Sequence, residues 1–304
     1  MAKDSKKEMK QGLNKISMVG IVKEKHLEHD TDDNGENVIK GKLVITVNKD
    51  GEIHEFDLNM YSKEFTQKGD PNKMYKAFNT IMEEYKDADT YGEEADTVEV
   101  NAKLDVNEYY SEEKDKVFVS NRIRPISITR VSKDSEHYAE IVFKGVIVGT
   151  KDEVDREGIE TGALSVQAFI VGWKESVICP VGLRVPEDLV EPFNDYASEG
   201  CTAKISADLM RGVVYKEPDN SNGFSRRTSK ADVAYKNYKA SIDIFGIAVD
   251  DNGYTEEEIE KMKKIRKKKQ ATIRGEADID EGKGFNAKRN RAPKEDIEDD
   301  DCPF

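Results

Sequence analysis

The 304-residue chain carries a formal net charge of −14, with 36% charged and 37% hydrophobic side chains. Such a length accommodates two compact domains and a tail, and the modest apolar fraction implies small, surface-rich ones. The acidic balance excludes nucleic-acid binding through bulk charge, so any such site must come from local clusters of lysine, arginine and aromatic residues.

The first ten residues are charged, unlike a secretory leader, and residues 1–13 read as a flexible N-terminus. No apolar run approaches a membrane span, so the expectation is a cytoplasmic protein without a membrane partner. Cys179, Cys201 and Cys302 form an odd, widely spaced set with no Cys-x-x-Cys pair, which argues against a disulfide framework and a structural zinc site.

Residues 14–131 and 138–250 follow one plan. Ile16 to Lys25 corresponds to Ile141 to Gly149, each strand holding a central glycine, Gly20 and Gly145. Val38 to Val47 and Ala163 to Trp173 come next, both rich in β-branched and apolar residues. A third strand is expected at Glu52 to Tyr61 in the first segment and at Ser176 to Arg184 in the second. Short helices follow at Pro71 to Tyr85 and Pro186 to Tyr196, with proline suited to a helix's first turn and Pro192 shortening or bending the second. Thr97 to Val106 and Val117 to Val131 close the first segment; Thr202 to Tyr215 and Tyr235 to Val249 close the second. Three strands, a helix and two strands is the order of an OB-fold barrel. The fold expected is therefore all-β, two tandem OB-fold barrels each with a short helix; one larger β-rich domain is the alternative.

Alternation divides each strand into two faces. Ile39, Leu43, Ile45 and Val47 face inward, leaving Lys40, Lys42 and Thr46 outside. On the closing strand Val117, Val119 and Ile123 are inner, whereas Phe118, Arg122 and Arg124 are outer. Cations there would neutralise phosphates, and a ring offers any base a stacking surface; a lone phenylalanine would equally suit packing under a loop. The loop before this strand supplies Tyr109, Tyr110, Lys114 and Lys116, diluted by Glu108, Glu112, Glu113 and Asp115.

In the second segment Leu164, Val166, Ala168 and Ile170 make the apolar row, opposite Ser165, Gln167, Phe169 and Trp173. The two aromatics suggest a stacking platform, although Trp173, the single tryptophan, would also serve as a core residue with a satisfied indole N–H. Lys216 to Ala234 is a long polar loop with Phe224, Arg226, Arg227 and Lys230, flanked by Tyr215, Tyr235 and Tyr238. From Lys204 to Lys239 there are eight basic and four acidic residues, placed where OB-folds extend a loop over oligonucleotides.

Thr255 and Glu258 form a capping-box pattern opening a helix over residues 255–270. Ile259, Met262 and Ile265 give it a narrow apolar stripe, and Arg266 to Lys269 lie at its C-terminal end, favourable against the helix dipole. Residues 271–294 read as a disordered linker rich in Gly, Ala, Lys and Arg. The tail, residues 295–304, contains six acidic residues and finishes Cys302, Pro303, Phe304. It reads as a hook: a phenyl ring and an α-carboxylate for a basic, apolar socket, stiffened by proline and steered by aspartates. An acidic run alone would equally be a solvating arm.

Asp299, Asp300, Asp301, Cys302, Pro303 and Phe304 resemble the acidic tip of bacterial and bacteriophage single-stranded DNA-binding proteins, with cysteine in place of the usual aliphatic residue. Cysteine remains a small hydrophobe, and the resemblance covers six residues. It implies single-stranded DNA as partner, no strong sequence preference, and recruitment of replication, recombination and repair proteins through the tip. The family's usual single barrel differs from this longer chain, and two barrels would let a monomer or homodimer act where single-barrel proteins tetramerise.

No enzyme is expected, and no cofactor. His26, His29, His54 and His137 lack metal-ligand spacing, and neither a phosphate loop nor a nucleophile motif occurs. Against DNA binding stands the acidic body: residues 1–254 carry −13. The competing reading is therefore a non-enzymatic adaptor whose barrels bind protein, with the tail as a docking arm.

Overall fold

The structure, a computed structural model, describes residues 9–155, 157–216 and 235–275, with the side chains of 214–216 and 235–238 outside that description. It is mostly β with few helices. The first half comprises β1 (Asn14–Thr31), β2 (Asn37–Lys49), β3 (Glu52–Lys63), α1 (Lys73–Glu84), the one-turn α2 (Ala88–Tyr91), β4 (Thr97–Ser111) and β5 (Lys116–Arg130). The second comprises β6 (Tyr138–Val154), β7 (Glu160–Val171), β8 (Val177–Ile178), β9 (Leu183–Val185), α3 (Val190–Tyr196), β10 (Thr202–Lys216) and β11 (Tyr235–Val249), followed by α4 (Glu256–Ile273).

Strand pairing closes each half into a ring. In the first, β1 pairs with β2 and β4, β3 with β2 and, in parallel, β5, and β4 with β5. The second repeats this, with β6 pairing β7 and β10, β10 pairing β11, and β9 bridging β7 to a parallel β11. The expected single third strand at Ser176 to Arg184 is instead two short pieces, β8 and β9, because Pro180 cannot donate to a ladder and Gly182 adopts a φ of +72°.

Gly20 and Gly145 explain how such long first strands bend. A Cβ on Gly20 would lie 2.5 Å from the Thr46 carbonyl oxygen, and one on Gly145 would lie 2.7 Å from that of Phe169. At both places the second strand of the ring crosses the first too closely for any side chain. A bulge between Val22 and Glu24 adds curvature.

Equivalent strands join the rings: β1 and β6 run antiparallel, with Ile16 opposite Ile141. One hydrophobic core extends through both, including Ile16, Met18, Ile39, Leu43, Ile45, Ile141, Phe143, Ala168 and Ile170. The alternation in β2 and β7 thus points its apolar rows inward. Asn72 caps α1, which contributes Phe78 and Ile81 to this core, and the seven-residue α3 contributes Phe193.

The helix α4 departs from a tether. Thr255 and Glu258 form a reciprocal cap, but Ile259 and Met262 pack with Met9, Val146, Val171 and Val177 as a second apolar cluster against the outside of the second ring. Arg266, expected to complement the helix dipole in solvent, is 6% exposed and donates to both oxygens of Glu108 on β4, at 3.0 and 2.5 Å. Lys269 pairs with the same carboxylate. Burial alone would raise the Glu108 pKa, but the hydrogen bonds from Arg266 and Lys269 outweigh it and hold it below the usual value. One helix therefore clamps both halves, since Arg266 also donates to the Val177 carbonyl at 3.3 Å.

Candidate nucleic-acid interface

Inner positions of β5, Val119 and Ile123, pack on the core, so alternation puts Lys116, Phe118, Ser120, Arg122 and Arg124 in a row on the outer face. At about 6.8 Å between alternate residues, the row is a ladder of cationic and aromatic groups. Tyr109 is in register across from Phe118 on β4, and their rings stack at 5.4 Å with a 15° interplanar angle. Lys114 and Lys116 each place their ammonium 5.7 Å from the Phe118 ring centre. The Tyr110 hydroxyl donates to Asp115 within the same hairpin, which raises its pKa and takes it away from a ligand.

Next to this row, β2 and β3 extend the face. Lys40 lies opposite Tyr61, and Lys42 opposite Asn59. Tyr61, at 56% exposure, joins this face although it was not among the expected site residues. Its signal was there: it alternates with the buried Phe56, Leu58 and Met60.

Where this face meets the second ring, a cleft of about 440 Å³ is lined by Lys42, Asn59, Arg122 and Ile123 from one side and Met210 and Arg211 from the other. The join is specific. The Asn121 amide donates to the Val181 carbonyl at 2.8 Å and accepts from the Val181 N–H at 3.1 Å. Arg211 donates to the Glu55 carbonyl at 2.7 Å and to Asp57 at 3.0 Å. Arg211 had not been singled out, because nothing in its strand's alternation reveals that it would reach across to β3.

The acidic background shapes this surface. Lys42 lies 3.4 Å from Asp57, Arg124 lies 2.7 Å from Asp105, and Lys40 pairs with Asp30 and Glu28. Those partners lie on neighbouring strands, so a phosphate must compete with a carboxylate at Lys40, Lys42 and Arg124. Arg122 makes no ion pair among the described residues.

In the second ring, Phe169 and Trp173 stand in different settings. Phe169 is half-buried against the cluster under α4, because the outer row Val146, Val171 and Val177 is itself apolar and recruits the helix. Trp173 lies beyond β7 in a 3-10 turn and is 73% exposed. That turn is pinned through Glu175, which accepts from the Met9 N–H at 2.7 Å and from Lys261 at 2.5 Å. The backbones of Tyr215, Tyr235 and Tyr238 lie in the β10–β11 ribbon, but their side chains lie outside the description. Phe224, Arg226, Arg227 and Lys230 fall outside the described residues, as do Asp299 to Phe304.

Among the described residues no group of three His, Cys, Asp or Glu side chains is placed to hold a metal ion. No helix among them is long and apolar enough to cross a membrane. Cys179 is free, and burial raises its pKa.

Among curated proteins none matches the chain. Two solved structures of the single-stranded DNA binding protein from Thermus aquaticus are similar to it. A deletion mutant has a TM-score of 0.43 at 10% identity, covering 82% of this chain and 100% of that one. The wild type has a TM-score of 0.41 at 10% identity, covering 81% and 97%. Residues 12–276 match the model of the YorF family, and the chain belongs to that family.

Proposed function

We propose that this YorF-family chain binds single-stranded DNA without strong sequence preference, using two OB-fold barrels. The observation that carries the reading is the convergence of Lys42, Arg122 and Arg211 on one cleft, continued along β5 to the stacked Tyr109 and Phe118. Cations track the phosphates, and each ring that stacks on a base contributes about 1 to 3 kcal/mol. The ring order of the strands, with a helix between third and fourth, supports the OB-fold assignment.

The sequence from Asp299 to Phe304 supports a second role, in which this acidic segment recruits replication, recombination or repair proteins by presenting aspartates and an aromatic ring to a basic, apolar socket. Replacing Phe304 with alanine should abolish partner capture and leave oligo-dT affinity intact; loss of both would make the tip structural. The adaptor reading keeps one specific support, the carboxylates already paired with Lys40, Lys42 and Arg124. Fluorescence anisotropy of labelled oligo-dT and of labelled duplex, titrated with the protein, separates the two. Strong binding of oligo-dT and weak binding of duplex supports strand binding; no binding of either supports the adaptor.

A further inference from the structure

A second cleft, of about 490 Å³, opens where the β2–β3 hairpin meets the β10–β11 ribbon, lined by Glu52, Ile53, His54, Arg184, Met210, Gly212, Val213, Lys239, Ser241 and Asp243. His54 is 2% exposed and sits in register with Gly212. The backbone N–H of Arg211 donates to its Nδ1 at 3.1 Å. An accepting Nδ1 carries no proton, so the ring is neutral and Nε2 is a donor. That Nε2 has no hydrogen-bond partner among the described residues, and neither do two further buried atoms on residues that line the same cleft, Nε of Arg184 and Oδ1 of Asp243. The Glu52 carboxylate stands 4.0 Å from Nε2, beyond hydrogen-bond reach. Arg184 is otherwise engaged, with Glu153 at 3.0 Å and Asp243 at 3.7 Å.

Buried polar atoms left without partners are costly and rare, and three around one cleft ask for a ligand. Glu52 and Asp243 offset Arg184 and Lys239, which favours a neutral ligand over an anion. Ile53, Met210 and Val213 offer apolar walls to a flat ring. Two donors and one acceptor are complemented by a ligand edge with two acceptors and one donor. The pairing edges of cytosine and thymine have that composition; guanine offers two donors and one acceptor, and adenine one of each.

We propose that this cleft holds one pyrimidine base of the bound strand, turned out of the stack and read by His54, Arg184 and Asp243. The proposal rests on the single-strand reading above and adds a base preference at one position of the footprint. The test is nitrogen-15 NMR of the full chain titrated with thymidine, deoxycytidine, deoxyguanosine and inorganic phosphate, following the His54 ring nitrogens. Saturable shifts with the two pyrimidine nucleosides alone are expected; no shift with them, or an equal shift with deoxyguanosine or phosphate, overturns the pocket. In His54→Gln, followed instead through the Arg184 Nε resonance, the pyrimidine response should weaken at least tenfold. Should that variant fail to fold, Gly212→Ile serves, since a Cβ there meets nothing within 4 Å; an unchanged response in it overturns the assignment. A chain that binds pyrimidine nucleosides but not oligo-dT keeps the pocket and refutes strand binding. Equal binding of oligomers of every base with no nucleoside response does the reverse.

Discussion

Replacing Glu108 with alanine should detach α4 without unfolding the barrels. The Glu108 side chain is 1% exposed and Arg266 7%, so removing the carboxylate leaves a buried guanidinium without its anion, a loss of about 3 to 5 kcal/mol. Against that, the helix is held by Ile259 and Met262, whose burial contributes about 1.5 to 3 kcal/mol each. The two quantities are comparable, and the helix can hydrate Arg266 by lifting away. The barrels keep their own core and have no such release. Hydrogen exchange resolves the two outcomes: α4 amides should lose protection while β1, β4 and β6 keep theirs, and trypsin should cut among Lys263 to Lys269. Glu108→Gln retains an acceptor and should release the helix less. Unchanged protection of α4 in the alanine variant, or loss of protection in the strands at the same time, would refute the clamp.

Acid should have the same effect: the Glu108 pKa is depressed in the folded protein, so the pair's contribution is complete above the ordinary glutamate value of 4.5 and is lost as pH falls through the lower folded value; α4 protection measured between pH 7 and 3 checks this. Burial likewise depresses the His54 pKa below 6.5, so stability in chemical denaturation should decline as pH drops below that value, and His54→Gln should flatten the decline. Gly20→Ala should cost about 1 to 3 kcal/mol by thermal melting, through overpacking against Thr46, whereas Gly212→Ala should be close to neutral. Phe118→Ala should weaken oligo-dT binding by about 1 to 3 kcal/mol with only a small fall in melting temperature from the lost Tyr109 stack; an unaltered affinity would remove the β5 row from the interface.

Period-two alternation made the ring interiors legible, because β2 and β7 turn a regular row of apolar side chains to the core, Leu43, Ile45 and Val47 on one and Leu164, Val166, Ala168 and Ile170 on the other. The paired glycines were legible as landmarks, though only the crossing strands explain them. The partnership of Phe169 was not readable: its row is apolar because a helix far along the chain covers it, and nothing local distinguishes that cover from a ligand. Arg266 misled for a similar reason, since a basic residue in a helix's last turns fits a dipole argument as well as a buried carboxylate. The cleft residues Lys42 and Arg122 were found by alternation, whereas Arg211 and His54 depend on contacts between the two halves. Such contacts lie about 155 residues apart in sequence and leave no periodic trace.

The most direct test of strand binding is the salt dependence of oligo-dT affinity, measured by fluorescence anisotropy alongside a duplex of equal length. With about −0.7 for each phosphate neutralised on a single strand, Lys42, Arg122 and Arg211 predict a log-log slope of about −2, rising to about −3.5 if Lys114 and Lys116 join. Tight oligo-dT binding with a slope in that range and weak duplex binding is the predicted result. No binding at low salt, or equal affinity for duplex, would contradict it.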